Sequence, residues 1–314
     1  MIGLALALTV FNALTVVLPT FELVGASRLL AGLPHGAYFG IGALVAADVL
    51  GPGNRAKGVA FILTGLTIAN VVGVPFGTFL GQLWGWRTAF LIVTVVFAVA
   101  TIFIARFVPK HPGEPGRTLR SELGVFRIGQ VWLTLGIGAI GFGGFFAVYS
   151  YIAPLVTETA GSPEWAVPIV LVLVGIGMTI GNLLGGHMAD RDLRRTMLLG
   201  MGGLAAVLAL LALFSFEIIA LAVLAMFVGL VSAALSPAIQ TRLMDVAGDN
   251  QSIAAAMNHS ALNIGNSLGA FLGGVVIAVG WGYTAPAWVG AALAIAGLGI
   301  TAIAFRAERI VLAR

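Results

Sequence analysis

Arg28 and His35 stand seven residues apart in an otherwise apolar stretch, so a helix places them on one face. A charge inside hydrocarbon is costly and usually faces a cavity or a partner. Arg28 falls a turn inside the outer end of its stretch. It reads either as a proton-coupling or substrate-orienting cation, or as an arginine snorkelling to the headgroups. The imidazole of His35 titrates near physiological pH and could carry a coupled proton. Its plainer reading is a histidine bonded to a helix backbone. Other polar or aromatic side chains interrupt the apolar runs: Asn12, Tyr38, Asn70, Tyr149, Tyr151, Asn182, Gln240, Asn258, His259, Asn263 and Asn266. Some would line a cargo cavity and others would join helices, because amides in hydrocarbon seek partners. Asn263 and Asn266 share a helix face, whereas Asn258 points elsewhere. Tyr149 and Tyr151 follow Phe145-Phe146 near a span end, where interfacial aromatics are also normal. The candidates for proton coupling or substrate contact are Arg28, His35, Tyr38, Asn70, Tyr149, Tyr151, Asn263 and Asn266.

A second set of residues could move elements rather than bind cargo. Gly65, Gly73, Gly77 and Gly81 recur at helical spacing and make one smooth seam. Pro75 removes a backbone donor within it and permits a kink. The seam is expected to seal a gate against the other half of the molecule, with Gly269 and Gly273 repeating its pattern. Asp190, Arg191, Arg194 and Arg195 border a very short turn. They would either set topology, with Asp190 capping a helix, or form a charge latch against Asp245. Asp48, the repeat equivalent of Asp245, would have had a similar partner.

No catalytic or metal constellation is visible. His35, His111, His187 and His259 lie on separate elements, and the chain has no cysteine. The glycine runs fall inside apolar spans, so no phosphate loop, cofactor site or ATP-binding lysine motif is read. Neither metal nor cofactor is expected.

The elements that carry these residues follow from composition. Hydrophobic residues make up 60% of the chain and charged ones 9%, with mean hydropathy +1.07. A soluble domain carries about a quarter charged residues, so the chain reads as an all-α polytopic membrane protein. A basic pI in such a chain reflects topology rather than nucleic acid. Ten candidate spans are predicted, at roughly 2–21, 24–49, 56–83, 86–107, 131–158, 166–189, 196–214, 217–243, 251–280 and 284–306. Residues 108–130, rich in Pro, Gly and charge, read as a cytoplasmic linker between a four-helix part, 1–107, and a six-helix part, 131–314. Of 16 Lys and Arg, all but Arg28 and Arg87 fall on one set of alternate loops. The positive-inside rule makes that side, and both termini, cytoplasmic in the cell membrane.

A repeat runs through the chain. Asn70-x-x-Gly73-x-x-x-Gly77 returns 196 residues on as Asn266-x-x-Gly269-x-x-x-Gly273. Gly32-Leu33 with Asp48-Val49 returns at 197 as Gly229-Leu230 with Asp245-Val246. Repeats of this length mark transporters built from similar halves. The pattern is four helices plus six where symmetry expects six plus six, so the chain reads as about ten of twelve helices, truncated at the N-terminus or else a natural ten-helix variant.

Four motifs carry a resemblance. Gly186-His187-Met188-Ala189-Asp190-Arg191-Asp192-Leu193-Arg194-Arg195 is similar to the cytoplasmic loop motif of the major facilitator superfamily. Arg28-Leu29-Leu30-Ala31-Gly32, Gly73-Val74-Pro75-Phe76-Gly77 and Asn263-Ile264-Gly265-Asn266 resemble its drug/sugar H⁺-antiporter branch, near the arabinose-efflux-like permeases. Ala31 stands where that branch has Gln, and Val74 splits its Gly-Pro pair. The resemblance implies proton-driven efflux of a small organic molecule, a drug or a sugar. The cargo site would lie near the midplane between two rocking halves. The partners implied are lipid, substrate and protons, and the protein is expected to act as a monomer and not as an enzyme. The rival reading is a non-transporting remnant or a membrane interaction subunit.

Overall fold

A computed structural model describes residues 1–50, 65, 68–108, 123–248 and 251–312. The side chains of Asp48 and Asn70, part of the 56–83 span and most of the 108–130 linker lie outside the described residues. No strand occurs among the described residues. That is the expected solution for an apolar chain without barrel alternation, because a helix satisfies its own backbone groups in hydrocarbon. Among the described residues, seven helical stretches are long and apolar enough to cross a membrane: Arg87–Phe107, Gly129–Tyr149, Ala166–Arg191, Leu193–Phe214, Ile218–Ala247, Met257–Ala278 and Ala285–Glu308. The chain divides into two compact units, Met1–Arg117 and Thr118–Arg314.

The first unit contains α1 (Ile2–Val17), α2 (Phe21–Leu50), α3 (Val74–Trp84) and α4 (Arg87–Phe107). Helix α1 buries Ala5, Leu8, Asn12 and Thr15, a stripe at spacings of three and four, as it packs on α2 and α4. It ends at Leu18, whose extended backbone is what a following proline, Pro19, imposes. Arg87 then satisfies the open end of the helix. Its Nε donates to the Val16 carbonyl at 3.0 Å and its Nη2 to the Leu18 carbonyl at 3.1 Å. Thr20 caps α2 weakly, accepting from the Leu23 amide at 3.4 Å. A π-helical turn, Ala69–Gly73, leads into α3 immediately before Pro75, which has no N–H for an α-helical bond.

The second unit contains α5 (Gly129–Gly136), α6 (Gly143–Tyr149), α7 (Ile152–Pro154), α8 (Ala166–Arg191), α9 (Leu193–Phe214), α10 (Ile218–Ala247), α11 (Gln251–Ala278) and α12 (Ala285–Leu312). The 131–158 span is therefore not one continuous helix. A π turn at Ile137–Gly141 separates α5 from α6, and the chain breaks again after Tyr149. The second break has a clear cause: Pro154 cannot donate to the carbonyl four residues back, that of Ser150, and its ring crowds that group.

Glycine seams let the helices of this unit approach closely. Gly177, Gly181 and Gly185 on α8 meet the backbone of Met226, Leu230 and Ala234 on α10. A Cβ at any of the three would collide with main chain. Gly141 meets Gly297 and Gly144 meets Gly290, which seats α12 against the broken fifth span.

Three positional expectations need correction. Arg28 is two turns inside α2 rather than one, because the helix begins at Phe21. Asp190 does not cap a helix: α8 continues through Arg191, so the capping position falls to Asp192. The turn is one residue long, and Asp192 Oδ1 accepts from the Arg195 amide at 2.9 Å. The 131–158 span is interrupted, as described.

Candidate functional site

A polar site lies in the first unit, where α1, α2 and α4 each contribute one side chain. Asn12 is 3% exposed, on the packed stripe of α1. Its Nδ2 donates to the Leu8 carbonyl at 2.7 Å. That bond fixes the amide so that Oδ1 points away from its own helix, where it accepts from Arg28 Nη1 at 2.8 Å. The guanidinium lies over the Phe90 ring, 5.1 Å from the centroid. A turn away, the buried hydroxyls of Thr15 and Ser27 bond each other at 2.8 Å and tie α1 to α2. The described partners of Arg28 are thus a neutral amide and a ring face, which orient the cation without cancelling its charge.

His35 is exposed, two turns further along α2. Tyr38 meets Phe97 of α4 edge to face, with ring centroids 5.9 Å apart. Asn70 sits on the π turn, and its side chain is outside the described residues. Of the first-unit candidates, the structure brings Arg28 together with Asn12.

In the second unit Tyr149 stacks on Phe145 at 5.0 Å and edges Phe146 at 5.6 Å. With Phe145, Val148, Ile152, Val174, Ala225 and Val228 it lines a narrow apolar cleft too tight to hold a water molecule. Tyr151 is committed to packing: its hydroxyl donates to the Ala270 carbonyl at 2.7 Å, and its ring rests against Gly273 and Gly274. Asn263 is exposed and Asn266 partly so, joined by a long contact of 3.5 Å. Gly269 and Gly273 let α11 approach α6, since a Cβ on either would strike backbone or the Tyr151 ring. The first-unit glycines differ. A Cβ on Gly65 would meet nothing within 4 Å, and on Gly73, Gly77 or Gly81 only ordinary contacts at 3.8 to 4.0 Å.

Of the charged turn, Asp190, Arg191 and Arg195 are exposed and Arg194 is partly buried, with Arg195 Nε paired to Asp192 Oδ2 at 3.2 Å. Asp245 is exposed near the end of α10. The buried charge of that helix is Arg242, which sequence reasoning counted only as a topological residue. It is 4% exposed, pairs with Glu308 at 2.8 Å, donates to Gln130 Oε1 at 3.2 Å and lies over Phe305 at 4.5 Å. Gln130 in turn donates to the Ala304 carbonyl at 3.1 Å. The only signal was an arginine spaced inside an apolar run, the same signal that singled out Arg28. Among the described residues no cluster of His, Cys, Asp or Glu could hold a metal ion.

Comparison with known proteins agrees with this architecture. The family model described as Major Facilitator Superfamily matches residues 1–191 and 166–312. The inner membrane transport protein YdhP of Escherichia coli (strain K12) is 33% identical over 301 residues, covering 96% of this chain and 77% of that protein. A chloramphenicol resistance protein of Streptomyces lividans is 28% identical over 312 residues, covering 98% and 79%. Among solved structures, the transporter FucP in its outward conformation superposes with a TM-score of 0.60 at 14% identity, covering 96% of this chain and 82% of that one.

Proposed function

The chain belongs to the Major Facilitator Superfamily, and membrane transport is its class of function; from that premise we propose that it is a secondary active transporter. It exports a small organic molecule, a drug or a sugar, against an inward proton gradient by alternating access. The observation that carries this reading is Arg28. A cation two turns inside a 30-residue helix, held by a neutral amide and a ring, remains available to an anionic or proton-exchanging group. The name of the S. lividans relative supports a drug-like cargo. His35 and Tyr38 serve the same pathway from the same helix. Asn70, Tyr149, Asn263 and Asn266 contact cargo, and Gly65, Gly73, Pro75, Gly77 and Gly81 form the sliding surface of a gate. Asp190, Arg191, Arg194, Arg195, Asp245 and Asp48 latch the cytoplasmic ends in one state of the cycle. Both termini are cytoplasmic, and the transporter works as a monomer.

Everted membrane vesicles test the reading. They should accumulate radiolabelled chloramphenicol when respiration acidifies their interior, and an uncoupler should abolish the uptake. A tag on the C-terminus should be removed by added protease, because eversion exposes the cytoplasmic face. Uptake equal to that of vesicles lacking the protein would sink export of this compound, and a protected tag would reverse the orientation.

A further inference from the structure

The two units allow the site around Arg28 to be compared with its own repeat. Helix α10 (Ile218–Ala247) reproduces α2 (Phe21–Leu50) with both ends displaced by 197 residues. The connector before each has the same length, 18–20 and 215–217. Gly85 and Gly282, also 197 apart, both take left-handed backbone, with φ of 87° and 82°. One offset therefore holds across α1, α2 and α4. At that offset Asn12, Arg28 and Phe90 correspond to Ala209, Ala225 and Ala287. Ala225 and Ala287 are buried, at 1% and 0% exposure. The same helix arrangement thus packs with three alanines. The second copy of this helix arrangement is built without the amide, the guanidinium or the ring.

Since that copy is built without them, we infer that Asn12 is a positioning residue for Arg28, and that its task is to hold the guanidinium while leaving its charge uncancelled. This rests on the transport reading above. Asn suits the task for a reason visible in its bonds. Its NH₂ is taken by the Leu8 carbonyl at 2.7 Å, so only the oxygen can turn to Arg28. An aspartate would present an oxygen at the same place but would neutralise the cation. An alanine would let the side chain wander from the Phe90 face. The chemical class served by the oriented charge is an anion or a deprotonating group on the transport path.

The test separates positioning from helix glue. Asn12→Asp loses the bond that Nδ2 gives the Leu8 carbonyl but keeps an acceptor for Arg28 and turns a neutral contact into an ion pair, which offsets that loss, so the tie between α1 and α2 should hold. Chloramphenicol transport by Asn12→Asp should fall at least about ten-fold, the scale of one charge-assisted hydrogen bond in kcat/KM, while the thermal midpoint of the purified protein stays within a few degrees. Asn12→Ala should lose a similar factor, chiefly through KM. Near-normal transport by Asn12→Asp, or loss that tracks unfolding in both variants, overturns the inference. A second readout does not depend on cargo. Peptide-level mass spectrometry should show phenylglyoxal modifying Arg28 fastest in Asn12→Ala and slowest in Asn12→Asp, with the wild type between. Equal rates overturn the positioning role even if no chloramphenicol moves. Ordered rates in a protein that moves no chloramphenicol would instead count against the transport reading alone.

Discussion

Arg242 shows what a buried cation does when its role is cohesion. Among the described residues it has a carboxylate partner, Glu308, where Arg28 has none, and its other contacts reach Gln130 on α5 and Phe305 on α12. Removing that carboxylate should leave a buried charge short of a partner. Glu308→Gln is expected to destabilise the purified protein by about 2 kcal/mol, as for a hydrogen bond to a charged group, read as a lower thermal midpoint. An unchanged midpoint would mean that solvent at the half-exposed carboxylate already screens the pair. Arg28 was legible in the sequence because an arginine inside an apolar run is costly wherever it lands. Its partner was not, since Asn12 and Arg28 meet only when α1 and α2 pack, and Asn12 was one amide among many. Tyr151 illustrates the converse. It looked like a candidate for the cargo path, but the break before Pro154 turns its hydroxyl onto the Ala270 carbonyl.

At the scale of elements, glycine spacing carries two different messages. On α8 the spacing of four marks main chain against main chain, where Gly181 faces the Leu230 carbonyl. On α3 the same spacing leaves ordinary room, with the nearest group to a Cβ on Gly77 being Ala89 at 4.0 Å. Gly181→Ala should therefore lower stability by roughly 1–3 kcal/mol through overpacking, while Gly77→Ala should stay within about 0.5 kcal/mol. Thermal melts of the two purified variants decide it, and equal melting would contradict the distinction. Spans six and eight could be read closely from hydropathy, as 166–189 against Ala166–Arg191 and 217–243 against Ile218–Ala247. The fifth span could not. Its apolar run is unbroken, and only the missing donor of Pro154 and the close meeting of Gly141 with Gly297 distort it. The cap at Asp192 was missed for a related reason: five of the six residues 190–195 lie within the two helices, so their polarity does not mark where one ends.

Across the whole molecule, the repeat seen as paired motifs is also a repeat of neighbours. Helix α1 packs on α2 and α4 as α9 packs on α10 and α12. What differs is chemistry. One copy carries Asn12, Arg28 and Phe90, and the other carries alanine at all three positions. The proposed proton coupling therefore rests on Arg28 of the first unit, and it is the central claim to test. The direct measurement is proton flux in proteoliposomes of purified protein loaded with a pH-sensitive dye. An imposed outward chloramphenicol gradient should acidify the interior as protons enter in exchange, and Arg28→Ala should abolish the signal. Chloramphenicol leaving the liposomes with no change of internal pH would contradict proton coupling and leave a passive carrier in its place.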